Sequence, residues 1–289
     1  VTGHRVTTPD GTRLHVEIQG PDGAPTVVLV HGTGITRAFW RRQVAGLCAD
    51  HRVITYDLRG RGDSGPAGPD GHTLRAYADD LEAVLAECVP SGERAVLAGH
   101  SLGGIIVVAW AARHRPERRV RAAALLHTTM GDPLLDTLML PLLLRNPRTR
   151  ELTRRLMLTP RRLPRHRAFR SGTTLLLRGG MIGSRTAAAI GTETASILLA
   201  CPSSARIGDI TCWTHLDQHD LVPSLTVPTV AVYGERDRAV PSVCTDRYAP
   251  LLPNLIRTVG VPGAAHLGPL EHPAPYNAVL RELARTADA

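Results

Sequence analysis

Short apolar runs alternate with amphipathic stretches along most of this chain. Thr26 to Val30 and Ala95 to Ala98 are almost wholly apolar, as strands covered on both faces of a sheet are. Upstream, His4 to Thr8 and Thr12 to Gly20 alternate with period two around Asp10-Gly11, which predicts a hairpin. Further strands are expected over Arg52 to Tyr56, Val120 to His127, Val227 to Gly234 and Leu255 to Val259. Between them, helical patterns run from about Arg37 to Ala49, from a Thr73 cap to Cys88 before Pro90, and from Gly104 to His114 before Pro116. Two more follow, at about Val243 to Leu251 and Pro275 to Ala287. Strands alternating with helices at this spacing imply βαβ units and a mainly parallel sheet.

The rhythm breaks near Gly131. From Asp132 to about Leu221 the pattern is helical, with no run suited to a central strand. Leu134 to Leu144 is apolar, Glu151 to Leu158 amphipathic, and Thr186 to Leu199 reads as a helix ended by Pro202. The expected organisation is a core of 1–130 and 222–289 with a helical cap, 131–221, over the sheet's carboxyl edge.

Charge sharpens the picture of that cap. The formal charge of +8 comes from arginine alone, since the 289 residues include no lysine. Ten arginines and one acid, Glu151, fall between Arg145 and Arg170. Such a cluster is a solvated helical face, or a patch for an anionic substrate or an acidic surface. Beside Leu134 to Leu144 it would also suit weak contact with an anionic membrane surface. Nucleic acid is not an expected partner, because the segment lacks interleaved aromatics and matches no recognised module. The five scattered cysteines never show C-x-x-C spacing, which fits buried thiols in a reducing compartment. With no bilayer-length apolar run and no signal pattern over Val1 to Gly11, a soluble cytoplasmic protein is expected.

The chemistry centres on Gly99-His100-Ser101-Leu102-Gly103, where a buried strand turns into a helix. Glycines two residues either side of Ser101 keep Cβ atoms out of the corner and leave the hydroxyl exposed. A serine hydroxyl needs a base, and the base needs a group to hold its tautomer. Among thirteen histidines, His266 lies in a small-residue loop just past the last strand, at the edge where reacting groups gather in open α/β sheets. His272 competes, although Glu271 and Pro273 flank it at a helix start. For the acid, Asp237 follows a strand through Gly234-Glu235-Arg236; Asp132 and Glu235 are the alternatives. The amides of Thr33 and Leu102 are the expected oxyanion donors. No histidine pair at helical spacing joins a carboxylate cluster, so no metal site is expected.

These residues resemble the α/β-hydrolase superfamily, in its lidded esterase and lactonase-like form. The resemblance rests on His31-Gly32, Asp57-Leu58-Arg59-Gly60-Arg61-Gly62-Asp63-Ser64, Gly99 to Gly104, Gly234 to Asp237 and Gly263-Ala264-Ala265-His266. It implies a mostly parallel eight-stranded sheet flanked by helices, with a helical cap inserted before the penultimate strand. It also implies a structural role for the Asp57 to Gly65 loop. Serine at 101 departs from the aspartate of epoxide hydrolases and haloalkane dehalogenases of this fold. The lack of lysine departs from its hydroxynitrile lyases.

The expected activity is cofactor-free cleavage of an ester, lactone or thioester of an apolar small molecule through an acyl-enzyme. Ser101, Asp237 and His266 would be catalytic, with Leu138, Met139, Leu142, Leu143, Leu156 and Met157 as candidate pocket residues. Relatives use the same triad for carbon–carbon bond hydrolysis of diketone-like substrates, and a slow or non-catalytic ligand sensor is the reading from another class.

Overall fold

In a computed structural model of the chain, the apolar runs become the middle of an eight-stranded sheet. The structure describes residues 2–68, 71–139, 144, 146–159, 171–175, 181–183 and 187–286. The strands are β1 (Thr2–Thr7), β2 (Arg13–Gln19), β3 (Thr26–Val30), β4 (Arg52–Tyr56), β5 (Ala95–His100), β6 (Val120–Leu126), β7 (Thr229–Gly234) and β8 (Leu255–Val261). Their spatial order is β1-β2-β4-β3-β5-β6-β7-β8. β2 pairs antiparallel with both β1 and β4, and every later pairing is parallel. All residues of β3 and β5 are buried, which explains why neither alternates.

Helices cover both faces. On one lie α2 (Leu74–Cys88) and α3 (Leu102–Ala111), whose Tyr77 and Trp110 are fully buried with the β3 and β5 side chains. On the other lie α1 (Arg41–Leu47) and the helix Pro273–Thr286, with Trp40 and Tyr276 inside. Each such side chain contributes about 1.5–3 kcal/mol by leaving water. Thr73 caps α2 as expected, its Oγ1 accepting Ala76 N–H at 3.1 Å. The helix expected from Arg37 instead opens as a 3₁₀ turn, Arg37–Trp40, because Arg37 N–H is drawn to the Asp57 carboxylate at 2.8 Å.

Between β6 and β7 the described residues form helices Pro133–Asp136, Pro147–Met157, Ala187–Ala200 and Ser203–Trp213, and no strand among them. The helix Ser203–Trp213 was not expected. Its inward stripe carries Asp209 between Gly208 and Ile210, so the apolar period is interrupted where the helix is most buried. Among the described residues no helix is long and apolar enough to cross a membrane.

Candidate active site

Ser101 occupies the corner between β5 and α3 with φ 54° and ψ −120°, a conformation few side-chain-bearing residues adopt. A Cβ at Gly99 would collide with the Gly103 carbonyl, and one at Gly103 with the Val30 carbonyl. The two glycines let β5, α3 and β3 approach closely enough to force the bend. Leu126 O accepts Ser101 N–H at 2.9 Å, and Thr128 Oγ1 donates to Ser101 O at 2.8 Å, fixing the corner from the end of β6.

His266 and Asp237 arrive from the ends of the last two strands. His266 Nε2 lies 3.2 Å from Ser101 Oγ, and its Nδ1 lies 2.8 Å from Asp237 Oδ2. Asp237 Oδ1 accepts the amides of Ala239 and Val240 at 2.9 and 2.8 Å. Burial alone would raise the Asp237 carboxyl. The adjoining His266 and the hydrogen bonds from His127 and His266 outweigh burial and hold it well below the usual carboxylate range. A proton can therefore pass from Oγ to Nε2 while Nδ1–H stays on an ionised carboxylate.

Two further histidines, not singled out in the sequence, complete this cluster. His127, fully buried just past β6, places Nδ1 2.9 Å from the same Asp237 Oδ2 and Nε2 2.6 Å from the Tyr276 hydroxyl. His100 donates from Nε2 to the carbonyl of His266 at 2.8 Å and packs against Phe39, ring centres 4.5 Å apart. Burial pushes both imidazoles below their ordinary range, so each is neutral. The signal for His127 was available: it stands at a strand's carboxyl end, as Asp237 and His266 nearly do.

Among the described residues, His127, Asp237 and His266 are the one set of three metal-type donors within 4.8 Å of one another. The 2.8 and 2.9 Å nitrogen–oxygen separations are hydrogen bonds. Two ligands of one tetrahedral zinc would stand about 3.3 Å apart.

Above Ser101 a cavity of about 280 Å³ opens. Thr33 and Leu102 line its floor with Ser101 and His266; Ile105, Leu134, Met139, Met157, Met181, Leu198 and Trp213 supply most of the apolar wall. Of the expected pocket residues, Met139 and Met157 line it. Leu138 and Leu156 do not; they are 46% and 51% exposed. Each neighbours an inward methionine, and adjacent side chains point in different directions from helix or extended backbone. Leu142 and Leu143 lie outside the described residues. Met181, Leu198 and Trp213 were missed because nothing in the local pattern distinguishes a cavity wall from core.

The competing candidates stand apart from the Ser101–His266–Asp237 chain. Asp132 accepts Leu134 N–H at 2.9 Å and pairs with Arg154, which turns inward instead of joining a solvated arginine face. Glu235 is exposed, and His272 neither lines the cavity nor bonds Asp237 or Ser101. In the glycine-rich loop after β4, Asp57 accepts the amides of Arg37 and Asp63, at 2.8 and 3.0 Å. Arg61, from the same loop, forms a buried pair with Asp209, which also accepts Gly34 N–H at 3.0 Å and the Tyr77 hydroxyl at 2.7 Å. One carboxylate thus ties an inserted helix to the loop that carries Thr33.

The arrangement is that of a serine elbow on an open, mostly parallel sheet, with a histidine and a carboxylate brought to it from the last two strand ends. The sequence pattern of the alpha/beta hydrolase family matches residues 27–279, and the chain belongs to that family. Solved structures sharing the fold include the esterase RhEst1 from a Rhodococcus species, 21% identical, with a TM-score of 0.78 over 99% of this chain and 100% of that one. Another is the enol-lactonase of Burkholderia xenovorans, 22% identical, TM-score 0.77, over 97% and 99%. Among curated proteins, one from Yersinia enterocolitica provisionally named a carbamate hydrolase, RutD, is 29% identical over 259 residues, 83% of this chain and 81% of its own. Mycobacterium tuberculosis "Probable oxidoreductase EphD" is 36% identical over 134 residues, 46% of this chain; the match spans only 22% of that relative's length.

Proposed function

We propose that the protein is a serine hydrolase that cleaves an ester, lactone or thioester of an apolar small molecule. The observation that carries this reading is the Ser101 Oγ–His266 Nε2–His266 Nδ1–Asp237 Oδ2 chain at the floor of an apolar cavity. His266 takes the hydroxyl proton as Oγ adds to the substrate carbonyl. The amides of Thr33 and Leu102 stabilise the oxyanion. His266 then returns its proton to the departing alcohol or thiol, leaving an acyl-serine. Water, deprotonated by the same imidazole, releases the acid. The nucleophile, the base and the oxyanion donors of the cycle all come from the chain. Residues 131–221 act as the lid in this reading, with Leu134, Met139, Met157, Met181 and Leu198 excluding water from the acyl group.

The esterase and lactonase names among the fold neighbours support an acyl-transfer reading, and the uncharged cavity wall among the described residues favours neutral substrates. A fluorophosphonate probe tests it. Wild-type protein should be labelled at Ser101, and Ser101→Ala should not be. A panel of p-nitrophenyl esters of increasing chain length, lactones and acyl-thioesters then defines the preferred bond. Equal labelling of the Ser101→Ala protein ends the reading.

A further inference from the structure

Two imidazoles donate to one carboxylate oxygen. Asp237 Oδ2 lies 2.8 Å from His266 Nδ1 and 2.9 Å from His127 Nδ1. His127 is held there from three sides. Its Nε2 lies 2.6 Å from the hydroxyl of Tyr276, which must donate because Nδ1 carries the imidazole proton. Glycines at 234 and 268 make the space: a Cβ at Gly234 would stand 2.8 Å from His127 Cε1, and one at Gly268 2.7 Å from His127 Nε2. The backbone of His127 adopts φ 49°, a region that costs a side-chain-bearing residue energy and persists only where its surroundings enforce it. Tyr276 and His127 rings stack with centres 5.6 Å apart.

We infer that His127 is a positioning residue for Asp237, whose hydrogen bond, backed by Tyr276, sets how much of that carboxylate's charge faces His266. The inference rests on the triad reading above. An imidazolium at His266 is stabilised by the charge on Oδ2. A second N–H donor on the same oxygen spreads that charge, so less of it answers a proton on His266 than would without His127. The other titratable groups facing the cluster are His100 at the end of β5, Cys244 on the helix Ser242–Tyr248, and Glu271 on Gly268–Glu271. His127 bonds Asp237 Oδ2 directly, at 2.9 Å, whereas His100 bonds the His266 carbonyl.

The test needs no knowledge of the natural substrate. The rate of fluorophosphonate labelling at Ser101 is measured against pH for wild type, His127→Leu and His127→Asn. Leucine and asparagine are close in size, asparagine accepts a positive φ, and only asparagine places an N–H where Nδ1 was. The acid limb should move up by about half a pH unit or more in His127→Leu, and lie near wild type in His127→Asn. A wild-type limb in His127→Leu, or equal shifts in both variants, overturns the inference and leaves only a packing role. Should His127→Leu fail to fold, Tyr276→Phe serves. Its limb should move the same way by less, and an unmoved limb overturns the inference. Loss of labelling in Ser101→Ala alongside an unmoved limb sinks the His127 role alone. Undiminished labelling of Ser101→Ala sinks the triad reading and the inference with it.

Discussion

Asp209 and Asp237 are both buried carboxylates that accept several hydrogen bonds, yet their partners differ in kind. Asp209 faces the Arg61 guanidinium with both oxygens, and adds Tyr77 and Gly34 as donors. Asp237 receives two imidazoles and two backbone amides, and among the described residues no arginine side chain bonds to it. A permanent cation offsets most of a carboxylate's charge; neutral donors spread that charge without cancelling it. In the proposed mechanism the charge on Asp237 therefore remains to answer a proton arriving at His266, while that on Asp209 holds the helix Ser203–Trp213 to the loop beside Thr33. Whether a buried aspartate serves structure or chemistry depends here on the charge of what surrounds it.

The sharpest way to break this comparison is to make the same substitution at both sites. Asp237→Asn should fold and lose about a thousandfold or more in kcat/KM on a p-nitrophenyl ester, because an amide favours the wrong imidazole tautomer and cannot stabilise imidazolium. Asp209→Asn should retain the triad but strand Arg61 as a buried, uncompensated charge, costing about 3–5 kcal/mol of stability. Urea midpoints and activity measured on both variants should separate in opposite senses. Equal loss of stability, or equal loss of activity with stability intact, would erase the distinction.

A second variant pair sharpens the same point at smaller amplitude. Replacing the whole pair, Arg61→Met with Asp209→Leu, should be less destabilising than the sum of the two single changes, since no buried charge is left alone. The non-additivity should exceed about 1 kcal/mol in urea unfolding. Strict additivity would mean that the ion pair is not what holds the helix Ser203–Trp213 in place.

The two carboxylates also mark what was legible in the sequence. Asp237 and His266 could be found because a position just past a strand, at the carboxyl edge, is a local pattern; the glycines around Ser101 are another. The central strands followed from unbroken apolar runs, and the first two from period-two alternation. Asp209 was hidden by its own function: a charged residue on the buried stripe of a helix removes the period that reveals the helix. Arg61 sits in a glycine-rich loop whose composition suggests solvent, although the side chain is buried. His127 ended an expected strand, but its bond to Asp237 depends on β6 lying beside β7, a neighbour relation spacing along the chain does not contain. Pairing across the fold is the common missing information.

A pH-dependent effect lies between the two regions, at His31. Its Nε2 accepts Leu58 N–H at 3.1 Å and its Nδ1 donates to Gly32 O at 2.9 Å, so the neutral ring satisfies both nitrogens. Burial, with the nearby charge of Arg61, pushes its pKa down to about 4 from an ordinary 6.5. A depressed folded-state value means the unfolded chain binds the proton first. The stabilising contribution is therefore fully present above pH 6.5 and is lost as pH falls toward 4. By pH 5 the loss is on the order of 2 kcal/mol. His100 and His127, also lowered by burial, add to it in the same sense. Asp80, pushed up to about 6 by burial, works against it, so the whole-protein slope alone does not isolate His31. His31→Gln does, because glutamine does not titrate. Urea unfolding at pH 7.5 and pH 5 should show the variant losing about 2 kcal/mol less than wild type across that interval. Parallel losses in the two proteins would mean that the ring beside Arg61 takes up its proton as readily folded as unfolded.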